Sequence, residues 1–168
     1  CPIDTFSGYG HRSRDFVRSL IDAKGSDWDI KILPQKWGNT PWGFLKNDDP
    51  LKSLFITQIT QKPDIWMQIT IPNEFQKVGQ YNVGITAGIE TTMASGQFVE
   101  GLNRMNMNVV TSNHVKKVFE SAEYQKQFED GRKELLKSEK PIEVCFWGAD
   151  TTVYKKTDEK VESIENVL

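Results

Sequence analysis

The chain has 168 residues, with 21 Lys and Arg against 23 Asp and Glu, and a formal net charge of −2. A chain of this length can bury one hydrophobic core without disulfides or a structural metal. Its two cysteines are too few for a disulfide framework or a zinc site, so we expect a cytoplasmic protein in reducing surroundings. The charge balance argues against a general nucleic-acid binder, and no apolar run reaches the ~20 residues that span a bilayer.

Short β-like and helical patterns alternate along the chain. In chain order they predict a strand end at 1–4, a turn at 5–11, a helix at 13–23, a strand at 28–33, a loop at 34–47, a helix at 50–59, a strand at 64–71, a loop at 73–80 and a buried strand at 81–87. A turn or short helix at 88–96, an apolar helical stripe at 98–105, a strand at 108–112, a helix at 113–122, a polar, solvated helix at about 124–137 and a last strand at 142–147 follow.

This alternation predicts the fold class. Strands with helices between most of them are typical of a parallel, doubly wound sheet, so we expect an α/β fold: a Rossmann-like parallel sheet with helices on both faces. We assign residues 1–156 to this domain and residues 157–168 to a charged tail. The chain opens without Met and closes on this tail, so we expect a fragment or a processed domain.

The first candidate site lies between the predicted first strand and first helix. Ser7-Gly8-Tyr9-Gly10 supplies glycines that let a ligand approach the backbone, next to a helix N-terminus that favours anions. The run lacks the third glycine of a dinucleotide-binding loop and the Lys-Ser/Thr of a phosphate-binding loop. A tight turn between strand and helix explains the run equally well. Arg12 and Arg14, just beyond it, favour the anion interpretation slightly, although both would also serve as ordinary solvated charges on the first helical turn.

Further candidates lie at other predicted loops. Glu90 follows a buried strand, where a carboxylate can orient sugar hydroxyls or donate a proton, although it would also serve as a helix cap. Trp37 and Trp42 offer surfaces for a sugar ring, or pack over the edge of the sheet. The sequence has no arrangement typical of a metal site.

An ordered series of phrases extends over nearly the whole chain. They are FSGYG at 6–10, PDIWMQI at 63–69, PNEF at 72–75, YNVGITAGIET at 81–91, LNRMN at 102–106, VVTSNHV at 109–115 and WGADTTVY at 147–154. Together they resemble the N-terminal domain of retaining, group 1 type glycosyltransferases with the GT-B fold. In that family a phrase of the NGVDTEVF kind precedes the second domain, and GADTTVY stands in its place here.

The resemblance implies the N-terminal half of a two-domain enzyme that transfers a sugar from a nucleotide-sugar donor to an acceptor. The N-terminal domain of the family usually binds the acceptor, and the C-terminal domain binds the donor. The chain alone would then be inactive and would need that C-terminal domain or a partner chain. The nucleotide sugar is a substrate, and neither a cofactor nor a metal, a nucleic acid or a transmembrane segment is implied.

The resemblance also suggests roles for single residues. The glycine-rich run of the family faces the donor phosphates or sugar, and it is matched by Ser7, Gly8, Tyr9 and Gly10. Many relatives carry a histidine near the sugar, where this chain has Ala87-Gly88-Ile89-Glu90, so Glu90 and Thr91 are the replacement candidates for catalysis. The expected acceptor-binding residues are Arg14, Trp37, Trp42 and Ser112.

Two other functions stay open at this point. A Rossmann-like fold also suits a non-enzymatic module that binds a carbohydrate or a nucleotide, because fold alone does not fix function. A small flavodoxin-like nucleotide-binding regulator is a weaker third interpretation.

Overall fold

A computed structural model describes residues 1–149, 151 and 154–156 of the chain. Its helices are α1 (Gly8–Lys24), α2 (Gly96–Arg104) and α3 (Asn113–Ser121), with short 3₁₀ helices at Pro50–Leu54 and Pro72–Glu74. Its strands are β1 (Ile65–Ile69), β2 (Tyr81–Thr86), β3 (Met107–Val110), β4 (Glu123–Gln127), β5 (Lys133–Lys137) and β6 (Ile142–Val144). None of the helices in these residues is both long and apolar enough to cross a membrane.

The main sheet has four strands in the order β1-β2-β3-β6, and every neighbouring pair is parallel. Alternate side chains of the strands point to opposite faces. One face, with Ile69, Val83 and Ile85, packs against Tyr9 and Phe16 of α1. The other face is covered by α2 and α3. The predicted α/β fold, a parallel sheet flanked by helices and consistent with a Rossmann-like arrangement, is confirmed.

The face under α2 and α3 carries several polar residues that fix the crossover from β1 to β2. Asn82 is fully buried, and its Oδ1 accepts hydrogen bonds from the backbone N–H groups of Val78 and Gly79, both at 2.8 Å. On Gly84 a Cβ would lie 2.3 Å from Cε2 of the buried Phe75, so only glycine leaves room for that ring. These contacts hold the 70–80 segment against the sheet.

The predicted turn at 5–11 is wrong beyond Ser7. Ser7 is the N-cap of α1, and its Oγ accepts a hydrogen bond of 2.9 Å from Gly10 N. A serine cap satisfies the backbone N–H groups that a helix start leaves unpaired, so the helix begins at Gly8 in spite of two glycines. The glycine-rich run is therefore the first turn of a helix, preceded by its cap.

The predicted strands at 1–4 and 28–33 are not formed. The first segment makes an isolated antiparallel bridge between Thr5 and Trp42, and the second a parallel bridge between Ile32 and Phe55. Arg14 donates to the carbonyls of Ile3 and Thr5, at 2.7 and 3.0 Å. Its guanidinium thus supplies the 1–5 segment with hydrogen-bond donors that a neighbouring strand would otherwise provide. Ile3 and Ile32 nevertheless share a small core with Val17, Leu45 and Leu51.

The polar segment predicted as a helix at 124–137 is an antiparallel hairpin of β4 and β5. Gly131, with φ of 82°, occupies the left-handed conformation that the tight turn requires. Tyr124 and Leu136 pack against the main core, so tertiary contacts override the helical propensity of the Lys and Glu residues.

Other boundaries shift. The helix predicted at 50–59 is only the 3₁₀ helix Pro50–Leu54, residues 88–95 are loop, and the last strand ends at Val144. The predicted tail at 157–168, with Asp150, Thr152 and Val153 of the GADTTVY phrase, lies outside the described residues.

Candidate functional site

The candidate site lies at the carboxyl edge of the main sheet. The strands β1, β2, β3 and β6 are parallel, so their carboxyl ends share one edge, where ligands of such sheets bind. Tyr9, in the first turn of α1, hydrogen-bonds the last residue of β2, Thr86, with 3.1 Å between their hydroxyl oxygens. The N-terminus of α1 therefore opens at this same edge.

Tyr9 links α1 to the loop that follows β2. Its phenol oxygen accepts a hydrogen bond of 3.2 Å from Ala87 N, in addition to its bond with Thr86. Burial raises the pKa of the Tyr9 phenol, the nearby carboxylates of Glu74 and Glu90 add to this rise, and the two hydrogen bonds lower it in part. The group is therefore a neutral hydroxyl at neutral pH, with two carboxylates in its surroundings.

The start of the loop after β2 is fixed from several directions. Gly88 N donates to Thr86 Oγ1 at 3.2 Å, and Thr111 Oγ1, just beyond β3, donates to Ala87 O at 3.1 Å. Gly88 has a φ of 85°, and a Cβ there would lie 2.2 Å from Cγ1 of Val115. The backbone beside Tyr9 is thus held in one conformation before any ligand arrives.

Aromatic rings contact both Tyr9 and Arg12, which are three residues apart in α1. The rings of Tyr9 and Trp37 have centroids 4.3 Å apart and are inclined by 39°. The guanidinium of Arg12 lies 4.9 Å from the ring centroid of Trp147, which is 50% exposed. Arg12 Nε is buried and has no hydrogen-bond partner in the described part of the chain. Burial lowers the pKa of Arg12, while Asp15 and Cys145 raise it.

The members of the glycine-rich run have different environments. Ser7 Oγ is engaged as the cap and lies 2.8 Å from Thr5 Oγ1. Gly8 is exposed, and a Cβ there would meet no atom within 4 Å. Gly10 is buried, and a Cβ there would lie 2.4 Å from Thr5 O. Gly8 and Tyr9 are thus the members of the run that lie at the open edge, whereas Gly10 is needed for packing.

The expected acceptor-binding residues are not brought together. Arg14 is 3% exposed, donates to two backbone carbonyls and lies 3.5 Å from the ring centroid of Phe44. Ser112 caps α3 by accepting a hydrogen bond of 3.2 Å from Val115 N. Trp42 is 42% exposed at the bridge to Thr5. Of the four expected acceptor-binding residues, only Trp37 contacts the Tyr9 cluster, by which we mean Tyr9 with the residues around it at the carboxyl edge: Arg12, Thr86, Thr111 and Trp147.

Glu90 and Thr91 lie exposed in the loop between β2 and α2. Glu90 does not cap a helix, because α2 begins only at Gly96 and its N-cap is Ser95. Its carboxylate is near enough to Tyr9 to raise the phenol pKa, whereas the hydroxyl of Thr91 donates to Met93 O at 3.1 Å. Of these two residues, Glu90 is therefore the one that interacts with Tyr9, through the charge of its carboxylate.

Four members of the cluster were not among the predicted site residues: Arg12, Thr86, Thr111 and Trp147. Arg12 follows the glycine-rich run, and the others end or follow predicted strands. A search for polar and aromatic residues at the ends of all predicted strands would have found the last three. Their approach to Tyr9 and Arg12 depends on pairings across long stretches of sequence.

In the described ranges no group of three or more His, Cys, Asp or Glu side chains is placed to hold a metal ion. Comparison of the chain with protein-family models, curated proteins and solved structures finds no match. The functional argument therefore depends on the arrangement of residues at the carboxyl edge. The site offers the aromatic faces of Trp37 and Trp147, the guanidinium of Arg12 and the hydroxyls of Tyr9 and Thr86. These groups suit a ligand that combines a ring, hydroxyl groups and a negative charge.

Proposed function

We propose that the chain is the acceptor-side domain of a glycosyltransferase, which transfers a sugar from a nucleotide-sugar donor to an acceptor in a cleft formed with a second, donor-binding domain. The observations that carry the proposal are two contacts of the first turns of α1: Tyr9 with Thr86, the last residue of β2, and Arg12 with the ring of Trp147, just beyond β6. The ordered phrases that resemble group 1 glycosyltransferases give this cluster its most specific interpretation.

The leaving diphosphate of the donor is the group that Arg12 and α1 would bind. The first backbone N–H groups of a helix have no carbonyl partner within it, and at Gly8 nothing within 4 Å of the Cβ position obstructs access. The guanidinium of Arg12 adds a positive charge that would stabilise the developing negative charge. Closure of a second domain over this edge would exclude the water that hydrolyses the donor.

The sugar of the donor would lie against the aromatic rings. Trp147 is half exposed beside Arg12, and Trp37 lies against Tyr9. Glu90, in the loop after β2, would accept a hydrogen bond from a reacting hydroxyl. In this arrangement Tyr9 and Thr111 act as positioning residues, because their hydrogen bonds fix the backbone of Ala87, three residues before Glu90.

The test is a transfer assay on the polypeptide encoded by the complete reading frame, with a panel of nucleotide sugars and sugar acceptors. Release of nucleoside diphosphate and a matching mass increase of the acceptor report transfer. We expect Arg12→Gln to lower kcat/KM at least about tenfold, roughly 1.4 kcal/mol of transition-state stabilisation. Arg18→Gln, on the exposed side of the same helix, is the matched control and should keep near-normal turnover.

Arg18→Gln, at an exposed position, should keep the unfolding free energy of the parent within about 0.5 kcal/mol, and Arg12→Gln, at a partly buried one, within about 1 kcal/mol. An equal turnover of Arg12→Gln and Arg18→Gln would contradict the role given to Arg12. Absence of transfer with every donor and acceptor would contradict the proposed enzyme.

A non-enzymatic carbohydrate-binding or nucleotide-binding module is the second candidate. The half-exposed ring of Trp147 favours it, because an aromatic platform binds a sugar or a base without any catalytic group. Saturable binding of a sugar or nucleotide at the cluster, without turnover of any nucleotide sugar by the complete polypeptide, would support this candidate against the enzyme.

A further inference from the structure

A polar cavity lies beside the candidate site, at the carboxyl end of β1. Its volume is about 400 Å³, within the range of roughly 300–1,000 Å³ that small-molecule sites occupy. Apart from Pro2 it is lined by polar residues: Gln35, Lys36, Gln68, Thr70, Glu74 and Gln76. It lies beside the end of β2 that Tyr9 contacts, because Thr70 N donates to Ile85 O at 3.1 Å, and the Glu74 carboxylate contributes to the raised pKa of the Tyr9 phenol.

The inner wall of the cavity is built from buried polar side chains. Gln68 is 2% exposed; its Nε2 donates to the backbone oxygen of Glu74 at 3.0 Å, and its Oε1 accepts from Gln76 N at 2.8 Å. Thr70 is also 2% exposed, and its hydroxyl donates to Glu74 Oε2. Glu74 is therefore fixed at both its backbone and its carboxylate.

The outer wall carries hydrogen-bonding groups that the protein does not use. Across residues 1–149, the side chains of Gln35, Lys36 and Gln76 form neither a hydrogen bond nor an ion pair with another residue, and the same is true of Glu74 Oε1. Such groups are free to bind a ligand. Fixed acceptors beside free amides suit a molecule that presents several hydroxyls at once.

The charges of the cavity narrow the ligand class further. One ammonium, Lys36, and one carboxylate, Glu74, leave the lining without net charge, so a phosphate or another strong anion gains little there. The lining also has no aromatic ring on which a nucleobase would stack. A neutral sugar ring, whose hydroxyls both donate and accept, fits these groups best.

We propose that this cavity binds the hydroxyl groups of a neutral sugar, with the Glu74 carboxylate as the principal acceptor of their hydrogen bonds. This inference rests on the proposed function, because it assigns the acceptor sugar to the cavity and leaves the charged donor to Arg12 and α1. Gln76 and Lys36 then act as specificity-determining residues at its rim.

The test is a two-dimensional ¹H–¹⁵N NMR titration of the 168-residue chain with methyl glycosides of common hexoses. We expect saturable shifts of the backbone signals of Gln35, Thr70 and Gln76. Glu74→Gln keeps the size of the side chain but weakens its acceptor, so it should raise Kd about tenfold or more, equivalent to 1.4 kcal/mol. Glu120→Gln, on exposed α3, is the matched control and should leave Kd unchanged.

A second variant keeps the proposal testable if Glu74→Gln fails to fold. Gln76→Ala removes only an exposed side chain without a protein partner in the described chain, and should raise Kd severalfold in an intact fold. A normal Kd for both variants, or shifts confined to Tyr9, Gly88 and Trp147, would overturn the cavity proposal while leaving the proposed function standing. If the complete polypeptide transferred no sugar but glycosides still bound in the cavity, the proposed function would be overturned and the binding of sugars to the cavity would stand.

Discussion

The inward and outward sides of the first two turns of α1 differ sharply, although the same short motif supplies both. On the inward side, Gly10 lies against Thr5 O, and Arg14 binds two backbone carbonyls in the interior. On the outward side, Gly8 is exposed and meets no neighbour within 4 Å of its Cβ position; the partly buried Arg12 places its guanidinium over the ring of Trp147. Residue type alone therefore does not separate the groups that seat the helix from those available to a ligand.

The largest effect is expected from Gly10→Ala. A Cβ at this position would lie 2.4 Å from Thr5 O and 2.9 Å from Pro2 O, and backbone atoms do not move aside easily. We expect a loss of about 3 kcal/mol or more in the free energy of unfolding, measured by urea denaturation. Gly8→Ala is the matched control and should stay within about 1 kcal/mol of the parent. Equal losses in both variants would remove the distinction between the two sides of the helix.

Arg14→Met should have the next largest effect. Methionine keeps much of the apolar volume but leaves the carbonyls of Ile3 and Thr5 without their donor, at a cost of about 3 kcal/mol. Arg18→Met breaks only an exposed ion pair with Asp49, which is worth roughly 0–1 kcal/mol. Chemical denaturation of both variants checks the difference. A cost for Arg14→Met no larger than that for Arg18→Met would show that Arg14 is not a structural residue.

The smallest effect is expected from Tyr9→Phe. The loss of the phenol hydrogen bonds to Thr86 and Ala87 should cost about 1 kcal/mol at neutral pH. Because burial raises the pKa of Tyr9, the folded chain keeps a proton that the unfolded chain loses above a pH of about 10. Stability contributed by Tyr9 is therefore lost as pH rises above that value, and Tyr9→Phe should flatten this decline. Denaturation curves with identical alkaline slopes for both proteins would contradict the assignment.

Local sequence patterns were enough to predict the main sheet. The strands at 64–71 and 81–87 contain β1 and β2, and the strand at 108–112 overlaps β3, because apolar runs bounded by Pro or by polar turns are typical of strands in parallel sheets. The segment at 124–137 was mispredicted, since Lys and Glu favour a helix, while a Gly131 turn and contacts with the core favour a hairpin. The strands expected at 1–4 and 28–33 are reduced to isolated bridges: Arg14 donates to the carbonyls of the first segment, and the second pairs only through Ile32 with the 54–56 segment.

The candidate site was predictable only in part. Ser7–Gly10 was expected at the carboxyl edge, and the contact of Tyr9 with Thr86 puts the run there. Trp147 stands at the end of a predicted strand, but its contact with Arg12 and the role of Glu74 depend on parts of the chain that are distant in sequence. The burial of Arg14 was missed for the same reason.

The most direct test of the central claim is the mapping of a nucleotide sugar on the chain by ¹H–¹⁵N NMR, including the indole signals of the tryptophans. We predict weak but saturable shifts at Tyr9, Gly88 and the Trp147 indole, which disappear in Arg12→Gln. A second cavity of about 600 Å³, lined by residues that include Trp28, Ile59 and Ile65, provides the internal comparison. Shifts concentrated at that cavity, or unchanged in Arg12→Gln, would contradict a ligand site at the carboxyl edge.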